Sequence, residues 1–422
     1  MGVSPPIYLD HNATTPVDPR VLAAMLPWFT THFGNASSRS HSFGAAAAEA
    51  VAQARAQVAR LIGAAEREIV FTSGATESDN LAIRGAVEAL RDKGNHVVTC
   101  LTEHKAVLDT CRRLERGGAA VTYLQPDVFG RVSPVQVAEA ITDRTVLVTL
   151  MAANNETGTL HSIREIAKAV KARGVLFHTD AAQAVGRIPI DVDALGVDLV
   201  SLSAHKLYGP KGVGALYVRR RPGRVRLVPL MDGGGHEQGL RSGTLNVPGI
   251  VGLGMACEVA LHEMETEGPR VAALRDRLHR GLAARLDGVT LNGHPSERLP
   301  NTVNLAFAYA DSEGVLARLH DHVAASSGAA CTSAVLEPSH VLRAMGMRDD
   351  EALSSVRFSV GRFNTEEAID RAIEQVVAAV TALRESNPLY ALAAGRPLRG
   401  NASDPAGQGD CCCGPEGCPG EG

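Results

Sequence analysis

Residues 198–212 read DLVSLSAHKLYGPKG. An apolar strand at 199–203 runs into Ser203, His205 and Lys206, and a glycine-flanked loop follows. A lysine at the end of a buried strand is costly unless it is paired or put to use. Desolvation lowers the pKa of an amine, and a neutral amine suits Schiff-base chemistry. The chain has six lysines against 36 arginines. Lys168 and Lys171 fall on the polar face of a helical segment, and Lys93 sits at a helix C-terminus, where a cation is expected. Lys105 begins a helix beside His104. Lys206 and Lys211 remain, and Lys206 is nearer the strand end. The plainer reading, a surface lysine in a turn, carries less weight here.

Outward from this stretch, short apolar runs alternate with helical segments between about Arg20 and Pro229. Strands are expected at 68–74 (EIVFTSG), 96–102, 145–155, 175–183, 198–206 and 213–220. Helices are expected at 42–63, 76–94, 103–118 and 163–174. Such alternation implies an α/β fold with a mainly parallel sheet covered on both faces. After about Val247 the texture changes to long helices, then the strands TVNLAFA and SSVRFSVG and the helix at 365–386, an α+β second domain. The expected divisions are an N-terminal arm at 1–18 joining the small domain, a large domain at 19–258, a small domain at 259–390 and a flexible tail at 391–422.

Composition narrows the function classes. The chain has 422 residues, 45% apolar and 21% charged, with a net charge of −4. That balance gives no reason to expect nucleic-acid or membrane partners. No run of about 18 apolar residues is present, and the N-terminus lacks the pattern of a secretory signal. Few, scattered cysteines in the body point to a reducing, cytoplasmic setting.

Three more stretches place chemistry at strand ends. In FTSGATESDN (71–80) a strand gives way to small residues and a helix near Thr76. Gly74 and Ala75 let an anion approach the free N–H groups. Alone, this is equally a strand–helix turn with Thr76 as N-cap. In LFHTDAAQ (176–183), Asp180 ends a strand and Gln183 follows. A carboxylate there can hold a protonated heteroaromatic nitrogen or cap a helix. In LTEHKAV (101–107), His104 follows a strand and could stack on a flat ring or shuttle protons. The carboxyl edge of a parallel sheet is where ligands bind. A lysine, a carboxylate, a histidine and an anion cup on that edge together suggest pyridoxal 5′-phosphate. Cys331, in SSGAACTSAVLEPSHVL (326–342), sits among small residues, the setting of a mobile loop and a reachable thiolate.

These stretches, from YLDHNATTPVDPRV to GRFNTEEAID, resemble the cysteine desulfurases of the NifS/IscS type, group I, in the class-V aminotransferase-like superfamily. The resemblance implies fold-type I, with a seven-stranded sheet in the large domain. It implies that Lys206 carries the cofactor, that His104 stacks on its ring as acid and base, and that Asp180 and Gln183 face the ring. Ala75, Thr76, Ser203 and His205 would hold the phosphate. Thr244 in RSGTLN would reach the phosphate of a second subunit, which implies a homodimer. Asn155, Arg357 and Asn35 would form the substrate pocket, with Arg357 on the carboxylate. Cys331 would be the nucleophile that takes sulfur from L-cysteine, releasing L-alanine. The resemblance also implies a sulfur-acceptor or iron–sulfur scaffold protein, with Cys331 as an iron–sulfur ligand. The same residues suit a selenocysteine lyase. A plain aminotransferase and a carrier on an inactive scaffold are further readings, the latter disfavoured because Lys206 and Cys331 are both present. The tail DCCCGPEGCPGEG lies beyond the resemblance. Its Cys411, Cys412, Cys413 and Cys418 read as a sulfur-accepting or metal-binding appendage, or as an inert end.

Overall fold

The computed structural model describes residues 6–220, 223–327 and 337–393. A two-residue strand in the arm, β1 (Ile7–Tyr8), comes first. Then follow β2 (Ile69–Thr72), β3 (His96–Cys100), β4 (Ala120–Leu124), β5 (Thr145–Thr149), β6 (Leu176–Asp180), β7 (Leu199–Ser203) and β8 (Gly214–Val218). The strands β2 to β8 form one seven-stranded sheet in the order β2-β8-β7-β6-β5-β3-β4. Only β8 runs against its neighbours; the other pairings are parallel.

Neighbouring residues of one strand feed opposite cores, because side chains alternate across a pleat. Val98, Val148 and Val200 join one core with Val51 and Leu253. Val97, Leu147 and Leu199 join the other with Leu81, Ile83 and Val107. Covered on both faces, the central strands can be apolar at nearly every position, which is why they stand out in the sequence. β4 and the helix Pro134–Ala140 do not stand out. β4 is the sheet's edge and is partly exposed along most of its length, so its apolar pattern is diluted.

The segment after Val247 forms one 37-residue helix, Val247–Ala283, rather than several. Its Ile250, Leu253 and Cys257 pack on the main core. Its Val271, Leu274 and Leu278 pack on a second core. Pro269 lies between the two contacts, and burial on both sides of it holds the helix continuous despite the lost hydrogen bond. Among the described residues this is the one helix long and apolar enough to cross a membrane, and 56% of its most apolar window is buried in the fold. The second core lies over an antiparallel sheet of β9 (Val289–Asn292), β10 (Thr302–Phe307) and β12 (Ser355–Ser359), with β10 central. The arm strand β1 pairs in parallel with β11 (Val323–Ala324), so the chain's first described residues join the region built last.

Candidate active site

Chain order turns back in the sheet between β3 and β5, and ligands of open α/β sheets bind beyond the carboxyl ends of strands at such a point. A cavity of about 660 Å³ opens there. His104, Asp180, Ser203, His205 and Lys206 line it, as do Ala75, Thr76, Asn155, Gln183 and Arg357. Asn35 and Thr244 do not; both are exposed outside it.

Lys206 closes a short 3-10 turn, Ala204–Lys206, directly after β7. Its Nζ donates to the carbonyls of Asn12 and, at 2.8 Å, Ala13. Burial, then the nearby charges of Arg187 and Arg357, bring the amine down to about 7, against the pull of Asp180 and Asp10. The lysine is therefore poised between donor and base near neutral pH.

Asp180 ends β6 and lines the cavity, its Oδ1 accepting from the Ala182 N–H at 2.9 Å. Burial raises its pKa, opposed first by His104. His104 caps the helix Lys105–Arg116: its Nδ1 accepts from the Ala106 N–H at 3.1 Å. That bond leaves the ring proton of the neutral imidazole on Nε2. Burial lowers the His104 pKa, so the neutral ring is the working form. The capping role and the cavity position thus coincide in one side chain.

The anion cup differs in detail from the sequence reading. Gly74, with φ +152°, is the N-cap, and the helix Ala75–Ala89 starts one residue before Thr76. No side chain caps this end. Thr76 is thus inside the first turn, and the cap itself carries no side chain that could fill the cup. Gly214 on β8 makes this possible: a Cβ there would stand 2.5 Å from the Leu202 carbonyl oxygen and 2.7 Å from Gly74 Cα. His205 hydrogen-bonds Thr14 through Nδ1 at 3.1 Å. Burial and then Lys206 lower its pKa to about 4, so it is neutral beside the cup.

Arg357, on β12, reaches in from the second core. Its Nη1 donates to the Asn155 carbonyl at 3.0 Å and its Nη2 pairs with Asp10 at 2.7 Å, while its buried Nε has no partner among the described residues. Cys331 and the four tail cysteines lie outside the described residues. The chain on either side of Cys331 is anchored at the site. Ser326 exchanges backbone hydrogen bonds with Arg357, at 2.6 and 3.1 Å. Ser339 Oγ donates to Glu156, the neighbour of Asn155, at 2.5 Å. The described cysteines, Cys100, Cys111 and Cys257, are buried, and burial raises the pKa of each. Among the described residues no cluster could hold a metal ion.

Several residues at the site escaped the sequence reading. Asn12 and Ala13 from the arm offer main-chain carbonyls, which carry no sequence signal. Asp10 is a lone acid in a polar stretch, and Arg187 one of many arginines. Glu103 and Asp79 are fully buried acids whose pKa values burial raises well above the ordinary range. Asp79 sits 3.6 Å from His178 Nε2, and a buried acid in a helix of mixed polarity could have been flagged only by its place on the sheet-facing side.

Comparison with known proteins agrees with this geometry. Residues 7–372 match the aminotransferase class-V family. The cysteine desulfurase IscS of Anaeromyxobacter dehalogenans (strain 2CP-C) is 59% identical over 385 residues, 91% of this chain and 95% of that protein. A solved NifS-like protein superposes with a TM-score of 0.83 at 36% identity, covering 90% of this chain and 100% of the other. The structure of SspA in complex with cysteine superposes with a TM-score of 0.75 at 39% identity, covering 85% and 99%. The chain belongs to the pyridoxal-phosphate-dependent aminotransferase class-V family, in its branch of IscS-type cysteine desulfurases.

Proposed function

We propose that this chain converts L-cysteine to L-alanine and leaves the sulfur on Cys331 as a persulfide. The observation that carries the reading is the meeting of Lys206, Asp180, His104 and an open helix N-terminus on one cavity. These residues fit pyridoxal phosphate. A near-neutral lysine can hold the aldehyde carbon, a buried carboxylate can face the ring nitrogen, and uncapped N–H groups with Ser203 and His205 can take the phosphate. When bound, the cofactor supplies a sink for the electrons released as the substrate's α-proton leaves.

The protein's own groups do the rest. Arg357 holds the substrate carboxylate in a fork and exchanges part of its bond to Asp10 for it. Asn155 stands beside it. Lys206 in its neutral form takes the α-proton, and His104 Nε2–H donates within the cavity. The Cys331 thiolate attacks the substrate sulfur. An S–S bond forms, the C–S bond breaks, and its electron pair stays on Cβ, which takes a proton to become the methyl group of alanine. Sulfur then passes from Cys331 to an acceptor, of which an iron–sulfur scaffold protein is the first to test. A reducing cytoplasm keeps that thiol available.

On this reading the arm (1–18), large domain (19–258), small domain (259–390) and tail (391–422) act as one catalytic unit, and the unit is half of a homodimer. Thr244 is exposed and outside its own cavity, as a residue serving a second copy must be. Leu26, Phe29, Phe33 and Phe43 expose apolar surface at 55%, 58%, 67% and 48%. Sedimentation should give twice the chain mass; a monomer at micromolar concentration would remove the role of Thr244. The activity itself is tested by incubating the purified protein with L-cysteine and a thiol. Alanine and sulfide in equal amounts are expected, and a keto acid in place of alanine would sink the reading.

A further inference from the structure

Four residues after Gln183 the chain places a guanidinium against the lysine's main chain. The turn at 181–187 is held by N–H donation from Ala184 and Val185 to the Ala181 carbonyl and from Arg187 to that of Ala184, at 2.9, 2.9 and 3.0 Å. Gly186 completes it at φ +77°. A Cβ there would come within 3.2 Å of Leu207 Cβ and 3.3 Å of Ala260 Cβ. The turn therefore closes against the residue next to Lys206, and Arg187 is delivered under it.

The partly buried guanidinium makes four hydrogen bonds. Nη1 donates to Asn12 Oδ1 at 2.6 Å and Gln183 Oε1 at 2.9 Å. Nη2 donates to the carbonyls of His11 at 3.2 Å and Lys206 itself at 3.3 Å. Lys206 Nζ donates to the same arm, at the carbonyls of Asn12 and Ala13. The two side chains thus grip three consecutive arm residues, and all four acceptors of Arg187 are uncharged. Elsewhere at the site, charges are matched: Arg357 pairs with Asp10 at 2.7 Å. Glu267, the acid acting on Arg187, is itself held by Arg362 at 2.8 Å. A charge balanced only by dipoles keeps most of its field on its neighbours.

We propose that Arg187 is the positioning residue for Lys206: it clamps the arm against the lysine and sets an uncompensated positive charge beside it. The proposal rests on the reading that Lys206 holds the cofactor and removes the substrate proton, and it says why that lysine is ready to do so near neutral pH. The other groups facing Lys206 are Asp180, Asp10, Arg357, His104 and His205, with Lys211 acting on His205; those facing Arg187 are His11, Tyr208, Glu267 and Arg357. Of the cations among the described residues, Arg187 alone bonds to the lysine's own main chain. Burial is the larger influence on Lys206 and Arg187 the next.

Six lysines make the test readable. Full-length protein labelled at the lysine ε-carbon is titrated by NMR after the cofactor is resolved, with Lys206 assigned from Lys206→Ala. The pH dependence of cofactor absorbance is followed in the loaded protein alongside. Wild-type Lys206 should titrate near 7. Arg187→Met should move that midpoint up by roughly 0.5–1 unit, and Arg187→Lys should leave it in place. If the methionine variant does not fold, Arg187→Gln, which keeps a donor for Asn12, carries the same expectation. An unchanged midpoint in the neutral variants, or equal shifts in Arg187→Lys and Arg187→Met, overturns the proposal. Neither result touches the cofactor reading, which fails only if Lys206→Ala retains the covalently held cofactor.

Discussion

Lys206→Ala should bind no cofactor covalently and lose alanine formation by about 10⁴-fold or more, because one side chain serves as both tether and base. The fold should survive. Arg187 bonds to the main-chain carbonyl of residue 206, which alanine retains. A second readout follows from the lysine's pKa, about 7 in the folded chain against an ordinary 10.5. Between these values the unfolded chain carries a proton that the folded chain lacks, so stability rises with pH across that window. Below it, both states are protonated and the folded state bears the full cost of a confined charge. Cofactor-free wild type should therefore gain melting temperature from about pH 7 to about pH 10.5 relative to Lys206→Ala. A variant that still forms alanine at the normal rate, or two parallel stability curves, would place the working amine elsewhere.

Cys331→Ala should keep the cofactor absorbance and lose sulfur transfer to a protein acceptor by about 10²–10⁴-fold. No described cysteine can replace it. Cys100 and Cys111 are buried and pushed up to about 12, and Cys257 is enclosed in the main core. The anchors at Ser326 and Ser339 tie both sides of the missing nucleophile to Arg357 and Glu156, so the cavity should remain intact. Peptide mass mapping after incubation with cysteine shows where sulfur rests. A persulfide on Cys331 in the wild type and none in the variant is expected. Transfer at the wild-type rate by the variant would assign the nucleophile to another thiol, with Cys411, Cys412, Cys413 and Cys418 next in line.

Most of the fold was legible because the central strands are buried on both faces and therefore read as continuous apolar runs. β4 was not, since an edge strand has solvent along one side. The groups at the carboxyl edge were legible for a related reason: Asp180, Ser203 and Lys206 are polar residues abutting apolar runs, a contrast that a linear sequence displays. The helix start was misplaced by one residue because Thr76 is the better side-chain cap in isolation, whereas close packing of Gly214 on Gly74 decides the backbone. What could not be read were partners joined through main-chain atoms over long separations. The Lys206 bond to Asn12 spans 194 residues and ends on a carbonyl. Arg187 and Asp10 gain their meaning only once that arm is in place.

The arm also sets a schedule. Asn12 precedes every strand of the seven-stranded sheet, yet its side chain bonds Thr302, 290 positions later, and its N–H bonds Ser359, 347 positions later. The carbonyls that restrain Lys206 thus have no fixed place until β12 has emerged and paired. Contacts this distant in sequence close late, after local helices and neighbouring strands. A partly synthesised chain can own every residue of the lysine's strand and still have an amine with nothing to orient it. Reactive chemistry is in this way withheld until β10 and β12 have been made and paired.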